Sequence, residues 1–202
     1  MGIDIADKAL EIAQGKARRA GLANIAFEEQ DGHRPKFEDG AFDVVTCASA
    51  LFGFQDIPGA LREWHRVLKP AGRAAICTYG PEFRRVSTML RNTIAKYQSG
   101  PAPRNPNEGY LETTEQCAAQ LAAAGFVKIR SATEELGYYY PNLDAYWEED
   151  VMSSMRRIPL DKLDPAAAAR VRTEHLEEMK TFVRDQGIWR PVPTIFTVGF
   201  KS

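Results

Sequence analysis

Two carboxylates carry the first chemical signal in this sequence. Asp4 closes a short apolar run, Gly2-Ile3-Asp4-Ile5, just ahead of a helical pattern, and Asp31 stands before Gly32 after a second apolar segment. An acid at the carboxyl end of a strand can accept two hydrogen bonds from a ribose diol. The same residue can equally flank a helix and interact with its dipole. Asp31-Gly32 reads either as an acceptor with close backbone approach to a planar ring or as a common Asp-Gly turn. His33, beside this pair, reads as a solvated loop residue or as a ring contact or base. His65 and His175 fall on helical patterns and read as ordinary surface or interface residues. No His, Cys and carboxylate share metal-ligand spacing, so no metal is expected. A serine nucleophile elbow, a P-loop, a dinucleotide fingerprint and a Tyr-x-x-x-Lys pair are all absent, and no catalytic base can be named.

The elements that must position these residues alternate strand and helix, the pattern of a parallel sheet covered by helices. Gly2–Ile5 reads as a strand. A helix follows, with Ala9, Leu10, Ala13, Ala17 and Ala20 on one face and Gly21 as its stop. Ile25–Glu28 and Phe42–Ala48 are the next strands. Leu61, Trp64, Val67 and Leu68 mark a helix that Pro70 and Gly72 end, and Arg73–Thr78 is a further strand. Pro81 opens a helix with Val86, Met89, Leu90, Ile94 and Tyr97 inward. Ser99–Gly109 is expected as a loop. A helix from the Thr113/Gln116 capping box reaches Ala124, and Phe126–Ser131 alternates like a strand near a sheet edge. Then come one helix with Leu143, Tyr146, Trp147 and Met155 on a face and another from Asp164-Pro165 to Gly187. Thr194–Phe200 closes the chain as a strand.

Three segments, in order, carry a family resemblance: Gly2-Ile3-Asp4-Ile5 before a helix; Asp31-Gly32 with Phe42-Asp43-Val44-Val45 beyond; and Glu63-Trp64-His65-Arg66-Val67-Leu68-Lys69-Pro70-Ala71-Gly72-Arg73. Together they resemble the class I S-adenosylmethionine-dependent methyltransferases, in the branch of the ubiquinone and menaquinone C-methyltransferases. The resemblance implies a Rossmann-like α/β sheet of order 3-2-1-4-5-7-6, mostly parallel with an antiparallel last strand, in a single domain over residues 1–202. Helical lid insertions would lie near 81–110 and 138–190. It implies S-adenosylmethionine as cofactor, with Asp4 on the ribose, Ile5 on the adenine face, Asp31 and Gly32 at the adenine amino end, and Ala48 and Ser49 on the methionine part. Phe52 and Phe54 would face the acceptor or pack helix to sheet. Tyr139 and Trp147, within an aromatic group that includes Tyr138, Tyr140, Tyr146 and Trp189, would line an acceptor pocket suited to a flat or lipophilic small molecule. The same rings could instead form the lid's own core. Pro35 and Lys36 depart from the family's usual Leu-Pro ahead of Phe37. Arg66–Arg73 reads as structural, with Lys69 neutralising a helix end and Ala71 in a glycine position.

The family's first strand and glycine-rich loop have no counterpart in these 202 residues. The expectation is a truncated N-terminus, a gap at the centre of the sheet and weakened cofactor binding. A catalytically inactive binding or assembly protein is the alternative function. Lys and Arg total 26 against 27 Asp and Glu, a formal charge of −1, which argues against nucleic acid or an anionic membrane as partner. No apolar run spans a bilayer, no signal peptide is visible, and three scattered cysteines read as reduced thiols. The expected setting is cytoplasmic, with a small-molecule acceptor as partner and an oligomeric state the sequence leaves open.

Overall fold

The computed structural model describes residues 1–98, 109–154 and 156–202. Most of the expected 99–109 loop therefore lies outside the described residues, as does Met155. The strands form two groups. One is a pair, β1 (Gly2–Asp4) and β2 (Phe27–Glu29); the other is a sheet in the order β3 (Phe42–Ala48), β4 (Leu68–Tyr79), β7 (Gly187–Phe200), β5 (Val127–Tyr140), with β6 (Val183–Arg184) on β7. The helices are α1 (Asp7–Arg19), α2 (Ile57–Val67), α3 (Pro81–Ala95), α4 (Thr114–Ala123), α5 (Leu143–Tyr146), α6 (Arg157–Leu160) and α7 (Pro165–Met179). This is the expected mixed α/β architecture, with its strands in two sheets. Among the described residues β1 pairs only with β2, and β3 only with β4.

The chain divides into two units. The first holds residues 1–76, 115–131 and 197–202. β1 and β2 run parallel, with Asp4 opposite Glu29. Asp56 caps α2 by accepting from Gly59 N at 2.8 Å, and the helix buries Ile57, Ala60, Leu61, Trp64 and Val67 on one face. α2 ends at Val67, earlier than expected, and β4 begins at once with Leu68. The kink comes inside the strand: Ala71 has φ 61°, in the left-handed region. A Cβ on the next residue, Gly72, would lie 2.8 Å from the Lys69 carbonyl oxygen and 3.1 Å from that of Asp43, so only glycine fits there. Lys69 does not serve the helix end. Its Nζ donates to Asp43 at 2.9 and 3.0 Å, while Lys201 Nζ, from the far end of the chain, donates to the carbonyls of Leu68 at 2.8 Å and Arg66 at 3.2 Å.

The second unit holds residues 77–114 and 132–196. Its core joins Val86, Leu90 and Ile94 of α3 to Val171, Leu176 and Met179 of α7, with Tyr140, Tyr146, Trp147, Val151, Leu160, Phe182 and Ile188 between them. Asp164 caps α7 by accepting from Ala167 N at 2.9 Å. The helix stops at Met179 instead of reaching Gly187. A 3₁₀ turn over Lys180–Phe182 leads into β6, and Gly187 opens a hairpin strand. β5 and β7 are each 14 residues long, well beyond the expected Phe126–Ser131 and Thr194–Phe200, because pairing along the sheet carries both strands past the local signals. The single helix expected over Leu143–Met155 is α5 followed by a π-helical turn, Trp147–Met152.

A buried polar group sits in this core, and sequence reading had placed His175 at the surface. His175 is fully buried, and its Nε2 lies 2.8 Å from Tyr146 Oη. Asp150, 5% exposed, accepts from Tyr140 Oη at 3.3 Å and forms an ion pair with Arg156 Nη1 at 3.1 Å, with Arg190 Nε 3.5 Å from its other oxygen. Burial raises the Tyr140 and Tyr146 hydroxyls and pushes His175 down to about 4.

Two outcomes follow from this packing. Ala71→Gly removes left-handed strain at the cost of a freer unfolded chain, and should raise stability by about 1 kcal/mol in denaturant unfolding. His175 binds its proton more readily unfolded, near its ordinary value of 6.5, than folded, near 4. Stability should therefore fall as pH drops from 6.5 toward 4, by up to about 3 kcal/mol from this group. His175→Gln should flatten that slope in unfolding curves taken across the interval, whatever its effect at neutral pH.

Candidate cofactor cleft

A single cleft in the first unit gathers the loops that follow β1, β2 and β3. It encloses about 1320 Å³, with Asp4, Ile5, Asp31, Gly32, His33 and Ala48 in its wall. That exceeds the roughly 300–1,000 Å³ of an ordinary ligand pocket. Parallel pairing puts Asp4 at the carboxyl end of β1, level with Glu29, and Asp31 two residues further along the neighbouring strand. The two carboxylates thus share one end of the sheet and one cleft.

Each acid is partly engaged by its own loop. Asp4 Oδ1 accepts from Ala6 N at 2.9 Å, fixing the approach to α1, whose N-terminal residue Ala6 offers no side-chain cap. Both sequence readings of Asp4 are thus compatible: one oxygen holds the helix start, and Oδ2 is left to accept from a ligand. Asp31 Oδ1 accepts from His33 N at 2.9 Å and lies 2.7 Å from His33 Nδ1. The backbone and then the ring hydrogen bonds from His33 hold the Asp31 carboxyl below its ordinary range. Ile5 is 72% exposed, an apolar face open to the cleft rather than a core position.

The 31–39 loop is pinned from α2. Trp64 Nε1 donates to the Gly32 carbonyl at 2.9 Å, and the Phe54 ring lies so close that a Cβ at Gly32 would sit 2.9 Å from it. The close approach that Gly32 permits is thus to Phe54. Arg66 donates to the carbonyls of Phe37 at 2.7 Å and Pro35 at 3.1 Å, and to Asp39 Oδ1 at 2.7 Å. The departure at Pro35-Lys36 leaves this loop held, with Lys36 N donating to Gln30 Oε1 at 2.7 Å. No signal in the sequence announced Arg66 or Trp64 as loop anchors, although both lie in the most family-specific motif.

The remaining expected residues divide. Ala48 and Phe54 line the cleft; Ser49, with φ 57°, and Phe52 do not. In the second unit, Trp147 is 5% exposed within the core, with Arg172 over its ring, while Tyr139 is exposed beside Trp189 at 4.8 Å between ring centroids. Among the described residues no three His, Cys, Asp or Glu converge as a metal site, and no helix is long and apolar enough to cross a membrane.

Residues 1–76 match a family model described as a methyltransferase domain. A demethylmenaquinone methyltransferase of Thermus thermophilus is 33% identical over 138 residues, 62% of this chain and 62% of that enzyme. Over these residues the chain is similar to the class I S-adenosylmethionine-dependent methyltransferases. Its likeness is to the quinone C-methyltransferase branch, and S-adenosylmethionine is the family's cofactor. A nocamycin O-methyltransferase of Saccharothrix syringae is 25% identical over 213 residues, 98% of this chain and 75% of the relative. The match with the Thermus enzyme spans less than two thirds of that relative's length. The solved structure of YcgJ from Bacillus subtilis shares the fold, with a TM-score of 0.62 at 21% identity, over 99% of this chain and 81% of its own.

The donor set fits the cofactor's nucleoside end: two carboxylates with free acceptor oxygens at the strand ends and an exposed aliphatic face between them. Trp64→Phe should remove the indole bond to Gly32 and cost about 1 kcal/mol of stability, with faster amide exchange in residues 31–37.

Proposed function

We propose that this methyltransferase moves a methyl group from S-adenosylmethionine to a small molecule of aromatic or lipophilic character. The observation that carries the reading is the pair Asp4 and Asp31 facing one cleft at the carboxyl ends of two parallel strands. When bound, S-adenosylmethionine supplies a methyl carbon on a sulfonium sulfur, already an excellent leaving group. The chain's own task is positioning. Asp4 Oδ2 accepts from a ribose hydroxyl, Ile5 lies against the base, and Asp31 Oδ2 accepts from the adenine amino group. Ala48 and Ser49, at and just beyond the end of β3, are assigned to the methionine part. Relatives named for demethylmenaquinone and nocamycin support the acceptor class.

The volume of the cleft, above that of an ordinary ligand pocket, favours a second reading: a methyltransferase-like binding protein that does not turn over. Calorimetric titration with S-adenosylhomocysteine separates the two. The first reading expects saturable binding, and the second expects none. Asp4→Ala and Asp31→Ala should each weaken binding about ten-fold or more, the loss of a charge-assisted hydrogen bond. Unchanged affinity in both variants removes the nucleoside assignment.

A further inference from the structure

His33 is not the solvated loop residue its neighbours in sequence suggested. Its side chain is 28% exposed, and its ring packs against Phe54 with centroids 4.4 Å apart. Both ring nitrogens are committed. Gln55 N donates to Nε2 at 2.9 Å, and a backbone N–H can only donate. Nε2 must therefore carry the lone pair, which puts the ring proton on Nδ1 and makes Nδ1–H the donor to Asp31 Oδ1 at 2.7 Å. With His33 N also donating at 2.9 Å, Oδ1 receives two hydrogens from one residue. Among the described residues Asp31 Oδ2 makes no hydrogen bond. The carboxylate is left with one defined free acceptor, in the wall of the cleft.

We propose that His33 is a positioning residue: as the Nδ1–H tautomer, held by Gln55 N and Phe54, it orients the Asp31 carboxylate so that Oδ2 reads an amino group on a purine. This rests on the nucleoside reading of the cleft and goes beyond it by naming what sets selectivity. A carboxylate locked with one oxygen outward favours a donor at the purine 6-position and repels a carbonyl there. A carboxylate free to swing would discriminate less. The device also ties the turn after β2 to the segment that follows β3, since Gln55 lies just beyond the 3₁₀ turn Leu51–Gly53.

Three variants separate the ring's two bonds. His33→Asn can keep the donor to Asp31 but cannot reach Gln55 N. His33→Gln can accept from Gln55 N but loses the donor to Asp31. His33→Ala loses both. Titrations with S-adenosylhomocysteine and with its inosine counterpart, in which the amino group is a carbonyl oxygen, measure affinity and preference together. His33→Ala should bind S-adenosylhomocysteine about ten-fold more weakly and lose a comparable factor of preference. His33→Asn should restore most of both, and His33→Gln should restore neither. A wild-type chain that binds with a preference His33→Ala fully retains overturns the proposal and leaves the cofactor reading standing. A wild-type chain that binds neither compound overturns both. Independently of any ligand, ¹⁵N NMR of the ring should give a pyrrole-like Nδ1 and a pyridine-like Nε2; the reverse assignment overturns the proposal by itself.

Discussion

The Arg66 guanidinium is the tie on which the first unit depends. It leaves α2 one residue before the helix ends and donates to two carbonyls and a carboxylate of the 35–39 loop, with Glu63 as its helical partner. A loop that follows a three-residue strand has little sheet to hold it, and its carbonyls would otherwise depend on water. Asp39 and Glu63 raise the Arg66 pKa, so the tie keeps its charge. Arg66's own carbonyl, with that of Leu68, is taken up by Lys201. One short stretch of chain thereby fastens the turn carrying Asp31 and the last residues of the protein to a single helix end.

That arrangement explains why the most recognisable motif in the sequence contains none of the proposed ligand contacts. The motif adds Glu63, Trp64 and Val67 to the wall of the cleft, and its anchors set where Asp31 stands. Trp64 and Arg66 hold the loop from α2, and Gly72 lets β4 pass close to Asp43. Lys69, two residues past the helix in the run, pairs with Asp43 because α2 has already ended when it is reached.

Legibility in the sequence followed the range of the interactions concerned. Phe42–Ala48 was read with its observed ends, because β-branched residues at a fixed period need no partner to be recognised. α3 opened at Pro81 and α7 at Asp164-Pro165 for equally local reasons. The cleft-facing acids were legible as well, since a residue just past a parallel strand has only one end of the sheet to occupy. The long strands β5 and β7 were not. Glu134-Glu135 and the prolines at 191 and 193 argue locally against strand, and pairing along the sheet overrides them. His175 was missed for a similar reason: a polar residue on a helix reads as exposed until Tyr146 supplies its partner across the core. His33 needed Gln55, 22 residues away, before its tautomer had any meaning.

The arrangement of the strands carries a further consequence. Among the described residues β3 pairs with β4 on one side, and Val44 on that strand is 38% exposed. Natural proteins shield strand edges with charge, bulges or a covering element, because any extended chain can continue the ladder. Here Asp43 is neutralised by Lys69, so the run Val44-Val45-Thr46-Cys47-Ala48 has no charge of its own to keep a second molecule away. Concentration then becomes a variable of the fold itself: what a dilute solution leaves open, a crowded one invites other chains to close.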